Sequence, residues 1–322
     1  MNITDIWNFL LVHPLLSLLV GAFDLFHDFG IAVVLVTVAI RLLLYPLYVT
    51  QIRSQRAMQE LAPAMNDIKA KYGSDRKKLS EEQMKLYKER GYNPATGCLP
   101  LLLQMPILFA MYAAFLQAPT LDGSALSGIL MPFVPNPLSP DQKLDLTAHW
   151  LPWIRQCVQP DGSLLHGLGC PDPWKVLPIL AGATQLFASV MAQPANQPKS
   201  DDPQQRMMQS MAYYFPLITV FIAWSLPAGL AVYWVTTTLF QIGQQYVVTG
   251  WGQLPKFLPF LRNIPSPGER GLRDRQAALI REAESDMRAR GAIEGPGAQA
   301  VRETRRDKRD KRDKTAKNKR RR

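Results

Sequence analysis

The sequence predicts an all-α integral membrane protein built around a bundle of five transmembrane helices. Two observations predict this class. Hydrophobic residues make up 47% of the 322-residue chain, and they are concentrated in long runs instead of being spread along it. Lys and Arg are concentrated in alternate connecting segments, which is the asymmetry that orients membrane proteins. A helix needs about 20 mostly apolar residues to cross a hydrocarbon core of about 30 Å.

Five segments are long and apolar enough to meet this requirement. The predicted spans are residues 30–50, 95–117, 174–193, 207–224 and 226–249. The motif S-L-P-A-G joins the fourth span to the fifth, and its Pro227 and Gly229 can turn the chain. We therefore expect these two spans to form a tight helical hairpin.

Residues 1–29 contain a sixth apolar run, at 6–26, which is more polar than the others. His13 and Pro14 lie in its middle, and Asp24 lies near its end. This mixture favours an amphipathic helix that lies in the outer membrane interface. A membrane-spanning helix is the second interpretation. A cleavable signal peptide is the third, because no Lys or Arg precedes the run.

The basic residues predict the orientation of the chain in the membrane. The outer segment, residues 118–173, has only Lys143 and Arg155, whereas the tail at 250–322 is rich in both residue types. We therefore place the amino terminus outside and the carboxyl terminus in the cytoplasm. The short loop at 194–206 is placed in the cytoplasm, and so is the basic segment at 51–94. The basic residues of the segment at 51–94 are Arg53, Arg56, Lys69, Lys71, Arg76, Lys77, Lys78, Lys85, Lys88 and Arg90.

Residues 51–94 have the spacing of two amphipathic helices that form a hairpin. Apolar residues recur at helical intervals up to Tyr72, and K-Y-G-S-D then breaks the pattern. The second helix is expected to begin at Ser80, because Gln83 three residues later completes a capping box. The hairpin is either a solvated connector or a docking element.

The outer segment is rich in turn-forming residues and is expected to be largely irregular, with short surface helices around H-W-L-P-W-I at 149–154. It also contains Cys157 and Cys170, thirteen residues apart on the oxidising side of the membrane. These two residues could form a disulfide or remain two unrelated thiols.

Arg41 lies inside the first predicted span, in the stretch V-A-I-R-L-L-L-Y-P-L. At a rise of about 1.5 Å per residue it is roughly 16 Å deep, close to the bilayer midplane. An Arg at this depth costs about 2.5–3.5 kcal/mol unless it faces water or a partner anion, and the predicted spans contain no Asp or Glu. We therefore predict a hydrated cavity whose positive charge binds an anionic group. An Arg that snorkels to the interface is the alternative.

Polar residues of other spans could line the same cavity. Thr hydroxyls can instead bond their own helix, and single Gln residues often join neighbouring helices. The sequence shows no phosphate-binding loop, no His–carboxylate cluster and no Ser–His pair, so it predicts no metal, no cofactor and no enzyme. The predicted cavity residues, besides Arg41, are Gln104, Thr184, Gln185, Trp234, Thr238 and Gln241.

Three motifs carry a resemblance to a known family. They are R-L-L-L-Y-P-L at 41–47, N-P-A-T-G-C-L-P-L-L-L-Q-M-P-I-L-F-A-M-Y at 93–112, and P-A-G-L-A-V-Y-W-V-T-T-T-L-F-Q-I-G-Q-Q at 227–245. With the charged hairpin between the first two, they resemble the YidC membrane protein insertases and their mitochondrial Oxa and thylakoid Alb relatives. The resemblance covers residues 7–249.

The resemblance implies an insertase and chaperone for nascent membrane proteins in the bacterial inner membrane. It implies a five-helix core around a hydrophilic groove, closed toward the outside but open to the cytoplasm and to lipid, with Arg41 inside. It also implies an amphipathic outer helix before the first core span. The chain departs from the family pattern at Thr238, where the family commonly has Asn, and in its two outer Cys residues.

Two other function classes are weighed against this one. A small-solute transporter would also use Arg41 to bind an anion, but such proteins usually show internal repeats with matching broken helices, and the sequence shows none. A scaffold or ribosome receptor would need the tail and the hairpin but not Arg41.

The chain ends in the basic run R-R-D-K-R-D-K-R-D-K-T-A-K-N-K-R-R-R. A run with so few apolar residues is expected to stay disordered in isolation. Its charge could bind anionic lipid head groups or RNA, and its length favours a large polyanion, namely the ribosome. The alternative is a solubilising tail that only reinforces topology. The tail thus gives ribosomal RNA and membrane lipids as candidate partners, and the resemblance implies nascent membrane proteins and a Sec-type translocon as further ones.

We predict that residues 299–322 contact ribosomal RNA, because Lys and Arg there far outnumber Glu303, Asp307, Asp310 and Asp313. Truncation before Val301 should lower the fraction of protein that sediments with ribosomes. Binding of the full chain should weaken steeply as salt is raised, because phosphate contacts release counterions. Binding that is insensitive to salt would contradict the prediction.

Overall fold

The computed structural model describes residues 2–91, 95–158, 164–194, 203–271 and 281. The chain divides after Glu269 into two compact units, and every element described below lies in the first. The predicted loop at 194–206 lies mostly outside the described residues, as does the tail beyond residue 271, including its basic run.

The described part is mostly helical. Short 3-10 turns lie at Ala118–Thr120, Gly167–Gly169 and Pro259–Asn263, and a wider π turn at Asn8–Val12 joins the first two helices. A two-stranded antiparallel hairpin is formed by β1 (Gln156–Val158) and β2 (Leu164–His166). The helices are α1 (Ile3–Trp7), α2 (His13–Phe26), α3 (Phe29–Leu43), α4 (Tyr45–Tyr72), α5 (Arg76–Glu89), α6 (Ala95–Gln117), α7 (Gly123–Ser127), α8 (Val176–Ala192), α9 (Pro203–Ala223), α10 (Ala228–Val248) and α11 (Leu254–Phe257).

Helix length and composition support fewer membrane spans than the five that the sequence predicts. Among the described residues, one continuous helix at Thr4–Phe26 is long and apolar enough to cross a membrane. The pair Phe29–Leu43 and Tyr45–Leu61 would add a second if it is one bent span. The apolar stretches Val176–Ala192 and Ser210–Ala223 are shorter. The five-span arrangement and the interfacial placement of residues 6–26 therefore stay predictions.

The first predicted span, residues 30–50, is not one straight helix. It breaks at Leu44, and α3 and α4 meet there at an angle of 69°. Pro46 explains the break, because proline has no backbone N–H to donate and is tolerated only in the first turn of the new helix. The helix α4 then continues without interruption to Tyr72, so it includes the first arm of the predicted hairpin.

The hairpin at 51–94 consists of the distal part of α4 and of α5. The Tyr87 hydroxyl of α5 contacts the Met58 sulfur of α4 at 3.8 Å, as expected of antiparallel arms. The expectation that the second arm begins at Ser80 is wrong. It begins at Arg76, because the Asp75 carboxylate accepts hydrogen bonds from the Lys77 and Lys78 backbone N–H groups, each at 3.1 Å.

The long helices pack in a defined order. The helix α8 lies between α9 and α10, and α10 also packs against α3. Glycines permit the closest approaches: a Cβ at Gly182 would lie 2.2 Å from Val220 of α9, and one at Gly229 would lie 2.1 Å from the Phe115 ring of α6. The core around these contacts includes Phe29, Met111 and Phe115.

The outward face of α9 is apolar and exposed. Phe221 keeps 81% of its surface accessible, and large apolar side chains surround it. A contiguous apolar face of this size is unusual for a protein in water but is expected of a helix that contacts lipid. The other exposed residues are Met207, Met211, Tyr213, Tyr214, Phe215, Leu217, Ile218, Ile222 and Trp224.

The outer segment at 118–173 is folded and contributes to the core. Leu151 and Ile154 are buried, and residues 149–154 form turns instead of the short surface helices that the sequence suggested. Cys157 of β1 is bonded to Cys170, with the two Cα atoms 5.7 Å apart. The Cys170 carbonyl accepts a hydrogen bond from the Ala228 backbone N–H at 2.7 Å, which ties this segment to the start of α10.

Asp28 ties the outer segment to the start of α3. Its carboxylate accepts the Ile31 backbone N–H at 2.9 Å, the His149 backbone N–H at 2.7 Å, and a contact from the His149 ring at 3.1 Å. Burial raises the pKa of the Asp28 carboxyl, but these hydrogen bonds outweigh burial and hold the pKa below its usual value. The start of α3 and the outer segment approach closely here, since a Cβ at Gly30 would lie 2.7 Å from the Ala148 side chain.

Asp172 makes a second tie at the outer end of the bundle. Its side chain is buried and accepts the Trp153 indole N–H at 3.1 Å, the Trp174 backbone N–H at 3.0 Å and the Leu177 backbone N–H at 2.7 Å. The Trp153 and Trp174 rings stack with their centroids 5.6 Å apart. The start of α8 is therefore fixed to the outer segment as well.

We predict that Asp28→Asn destabilises the protein most above the pKa of the Asp28 carboxyl. The ionised carboxylate caps α3. Asn is also a good N-cap, so the substitution removes mainly the negative charge at the helix N-terminus, which is worth about 0.3–1 kcal/mol. Because folding lowers this pKa, the stabilisation is present above the unfolded value and is lost as the pH falls through the folded value. Thermal unfolding in detergent should show a smaller difference between mutant and wild type at about pH 3 than at about pH 5.

The control for this experiment is Asp141→Asn, since Asp141 is exposed in the same outer segment. This variant should unfold like the wild type at both pH values. An Asp28→Asn deficit that is as large at the lower pH would contradict the assignment of the stabilisation to the ionised form.

We also predict the alkylation pattern of the three Cys residues of the chain. Unfolded but unreduced protein should take up one label, at Cys98, because the bond between Cys157 and Cys170 protects both sulfurs. Reduction before alkylation should raise the number of labels to three, as counted by mass spectrometry. Three labels without reductant would reject the disulfide.

Candidate functional site

The candidate site is centred on Arg41, in the last turn of α3. The side chain is buried, with 5% of its surface exposed. Among the residues that the structure describes, no carboxylate lies within ion-pairing distance of its guanidinium. Arg41 is therefore a permanent positive charge inside the bundle with no negative partner in the described part of the chain.

Tyr48 of α4 provides the principal contact to this charge. The Arg41 Cζ atom lies 4.1 Å from the centroid of the Tyr48 ring, which is a cation–π arrangement. Such a contact is worth about 0.5–2 kcal/mol, and more when it is shielded from water. The ring is neutral, so it stabilises the guanidinium without cancelling its charge.

Gln104 of α6 joins Tyr48 to α10. The Tyr48 hydroxyl donates to the Gln104 Oε1 atom at 3.0 Å. The Gln104 Nε2 group in turn donates to the Tyr233 hydroxyl. Tyr233 is 3% exposed and also interacts electrostatically with Arg41. Three helices thus contribute one side chain each to a hydrogen-bonded chain beside the guanidinium.

Of the remaining predicted cavity residues, Gln185 and Thr238 meet between α8 and α10. The Thr238 hydroxyl lies 3.4 Å from the Gln185 Oε1 atom of α8, and it donates to the Trp234 carbonyl of its own helix at 2.8 Å. Thr184 bonds carbonyls of α8, the behaviour that the sequence analysis gave as the alternative for a Thr hydroxyl. Gln241 is half-buried on α10 and makes no side-chain hydrogen bond within the described residues.

One face of α10 stays polar beyond Tyr233. Thr237 follows Tyr233 by four residues and Gln244 follows it by eleven, or about three helical turns, so the three share a face. Both are buried, and the Gln244 amide has no hydrogen-bond partner within the described residues. A buried amide without a partner is costly, which marks this face as a place where water or another polar group is needed.

Sequence reasoning found Arg41 and Gln104 but missed Tyr48 and Tyr233. Tyr48 follows Arg41 by seven residues, or two helical turns, and this spacing was a usable signal. The bend at Leu44, which lies between them, was not apparent from composition. Tyr233 directly precedes Trp234, which the sequence analysis predicted instead. The Tyr233 side chain faces Gln104, whereas the next residue of a helix points about 100° away.

A metal centre finds no support in the described residues, which contain no group of three or more His, Cys, Asp or Glu side chains arranged to hold an ion. The polar groups around Arg41 are two phenols and one amide. These groups can bind and orient a ligand.

Comparisons with known proteins place the chain in a family. The family described as 60Kd inner membrane protein matches residues 21–253, which include Arg41, Tyr48, Gln104 and Tyr233. A membrane protein insertase YidC of Oceanobacillus iheyensis is 33% identical over 253 residues, which cover 77% of this chain and 85% of that protein.

Longer relatives match the same region. The membrane protein insertase YidC of Actinobacillus pleuropneumoniae serotype 3 is 32% identical over 242 residues, or 75% of this chain, and the chain spans 37% of its length. A solved structure described as an active YidC insertase with its first transmembrane domain resolved is 28% identical, with a TM-score of 0.42. It matches 70% of this chain and 43% of the solved chain.

The family assignment rests on the sequence matches, and the resemblance to the YidC, Oxa and Alb proteins is thereby confirmed. A membrane location follows from the same matches. The chain belongs to the 60Kd inner membrane protein family, to which relatives named membrane protein insertase YidC also belong.

Proposed function

We propose that this protein is a membrane protein insertase. In this proposal it accepts nascent hydrophobic segments at a hydrated, positively charged groove around Arg41 and releases them into the bilayer. The observation that carries the proposal is the buried Arg41 guanidinium, which has no carboxylate partner among the described residues. A charge kept in this state inside a membrane protein is expected to serve an anionic ligand or a substrate pathway. The insertase names of the relatives support the same conclusion.

The first step is the entry of the substrate from the cytoplasm. A polar or acidic tail of the nascent segment moves along the polar face of α10, where Thr237 and Gln244 lie, toward Arg41. Water and side chains there replace part of the hydration that the tail loses. Each unsatisfied backbone group in hydrocarbon costs several kcal/mol, so a shortened apolar path lowers the barrier.

The second step is the release of the apolar part of the segment into lipid. The exposed apolar face of α9, around Phe221, is a surface along which such a segment can slide, and α6 offers a second surface at Phe109. Removing the segment from water supplies about 25 cal/mol for each Å² of apolar surface buried. The proposed mechanism therefore uses no nucleotide and no covalent chemistry, and it acts as a chaperone for one substrate at a time.

The groove residues other than Arg41 have supporting roles in this proposal. Gln104 is hydrogen-bonded to Tyr48, which contacts Arg41. Gln185 of α8 contacts Thr238 of α10, and Thr238 donates to the Trp234 carbonyl one turn earlier on α10. We assign Gln104 to the binding surface and these three residues of α8 and α10 to a wall of the groove. The half-buried Thr184 and Gln241 complete that wall.

In the proposed topology the protein crosses the inner membrane several times, with its amino terminus outside and its carboxyl terminus in the cytoplasm. The strong basic bias of residues 51–94 over 118–173 supports this orientation. The basic tail would then meet ribosomes and anionic lipids at the cytoplasmic face. A Sec-type translocon is a further proposed partner.

The decisive test changes the charge of Arg41 and compares substrates. Arg41→Ala should impair insertion of small membrane proteins with acidic outer tails but spare those with short neutral tails. Arg41→Lys should retain much of the activity toward acidic tails, because it keeps the charge and can also lie over an aromatic ring. Insertion is measured as digestion of the outer tail by protease added outside spheroplasts of cells depleted of the wild-type protein.

Arg53→Ala is the matched control, since Arg53 is an exposed residue of α4. It should insert both kinds of substrate like the wild type. Equal insertion of acidic-tail substrates by wild type and Arg41→Ala would remove Arg41 from the mechanism. Normal insertion of every substrate in depleted cells, together with altered anion flux, would favour a transporter.

A further inference from the structure

The Arg41 charge is held in place by a neutral group, and this arrangement suggests a role for Tyr48. We propose that Tyr48 is a positioning residue for Arg41: its ring face takes the place that a carboxylate would otherwise occupy, and Gln104 fixes the ring. The guanidinium is then held without being neutralised, so its charge remains available to an anionic group of the substrate. This inference rests on the proposed insertase function and assigns the residues that set its preference for acidic tails.

The contact between Arg41 and Tyr48 is buried inside the bundle. Arg41 and Tyr48 are both 5% exposed, and their side chains meet across the bend between α3 and α4. At a distance of 4.1 Å from Cζ to the ring centroid, the guanidinium lies well inside the range of about 6 Å for cation–π attraction. No other aromatic ring within the described residues makes such a contact with Arg41.

The Tyr48 ring carries no net charge, unlike the carboxylate that commonly pairs with a buried Arg. A carboxylate at position 48 would pair with Arg41 and would compete with an acidic tail for the same donors. An aromatic face attracts the cation through its quadrupole and brings no net charge and no strong acceptor to the guanidinium edge. The five N–H donors of Arg41 therefore stay directed at whatever enters the groove.

The orientation of the Tyr48 ring is fixed by a hydrogen bond to Gln104. The Tyr48 hydroxyl donates to Gln104 at 3.0 Å, and the same amide donates to the hydroxyl of Tyr233. Both polar ends of the amide are therefore used, so rotation of the ring away from Arg41 would break a hydrogen bond in a buried site. Gln104 thus couples the ring orientation to α6 and α10.

The experiment compares three substitutions of Tyr48 in the full-length protein, each with an acidic-tail and a neutral-tail substrate of the same span. Tyr48→Phe keeps the ring face but loses the hydrogen bond from the Tyr48 hydroxyl to Gln104, so it should slow acidic-tail insertion less than Tyr48→Leu does and should spare neutral tails. Tyr48→Leu removes the ring and should slow acidic-tail insertion by about threefold to thirtyfold, the range of a lost cation–π contact, while neutral tails are spared. Tyr48→Glu should pair with Arg41 and lower acidic-tail insertion to the level of Arg41→Ala.

The control is Tyr45→Leu, because Tyr45 lies one turn earlier on α4 and is 37% exposed. It should leave the ratio of acidic-tail to neutral-tail insertion unchanged. The positioning role is overturned if Arg41→Ala impairs acidic tails but Tyr48→Leu and Tyr48→Glu behave like the wild type. It is also overturned if the Tyr48 variants lower both substrates equally along with the unfolding temperature. An Arg41→Ala variant that inserts every substrate normally would instead overturn the proposed function.

Discussion

The structure depends on holding an unneutralised guanidinium inside an apolar helix bundle. Burial of a charge is expensive unless it is paired, and Arg41 has no carboxylate within the described residues. The cost is reduced by the Tyr48 ring face and by whatever water enters the site. The bend at Leu44, the Gln104 bridge and the burial of Tyr233 all serve this arrangement.

The outer end of the bundle is fixed by a different set of interactions. Asp28 joins α3 to the outer segment, Asp172 joins α8 to it, and the Cys170 carbonyl joins α10 to it. Three of the long helices therefore share one anchor at this end. Gln193 and Gln244 lie near the carboxyl ends of α8 and α10, away from the outer segment. Each side-chain amide has at least one buried polar atom without a hydrogen-bond partner within the described residues. The same end of the bundle also contains a small apolar cluster, in which Val190 and Met191 of α8 pack with Leu254 and Leu261.

The sequence was sufficient for the helical class and the family, because each has a local signature, and it also singled out the buried Arg41. Apolar runs, the basic bias and an Arg among Leu and Tyr residues are readable without coordinates. The start of α5 was predicted wrongly because a capping box at Ser80 is only a local preference, and Asp75 offers a competing cap one turn earlier. The role of Tyr48 could not be read, since it depends on the angle at Leu44 and on a Gln from a distant helix. Long-range packing decides such contacts, and propensity does not.

The two kinds of buried charge in this protein show how stability and function are separated. Asp28 and Asp172 each accept three contacts, so their carboxylates are satisfied and their positions are fixed. Such groups stabilise the fold and have little capacity left to bind anything else. Arg41 is the opposite case, because its main contact is to a ring face that leaves its N–H donors without hydrogen-bond acceptors in the described part of the chain. If only stability were needed at this point of the bundle, a well-packed apolar residue in place of Arg41 would serve at least as well as a buried ion pair. The neutral Tyr48 ring leaves the Arg41 charge in place, and the proposed substrate role of Arg41 rests most directly on this feature.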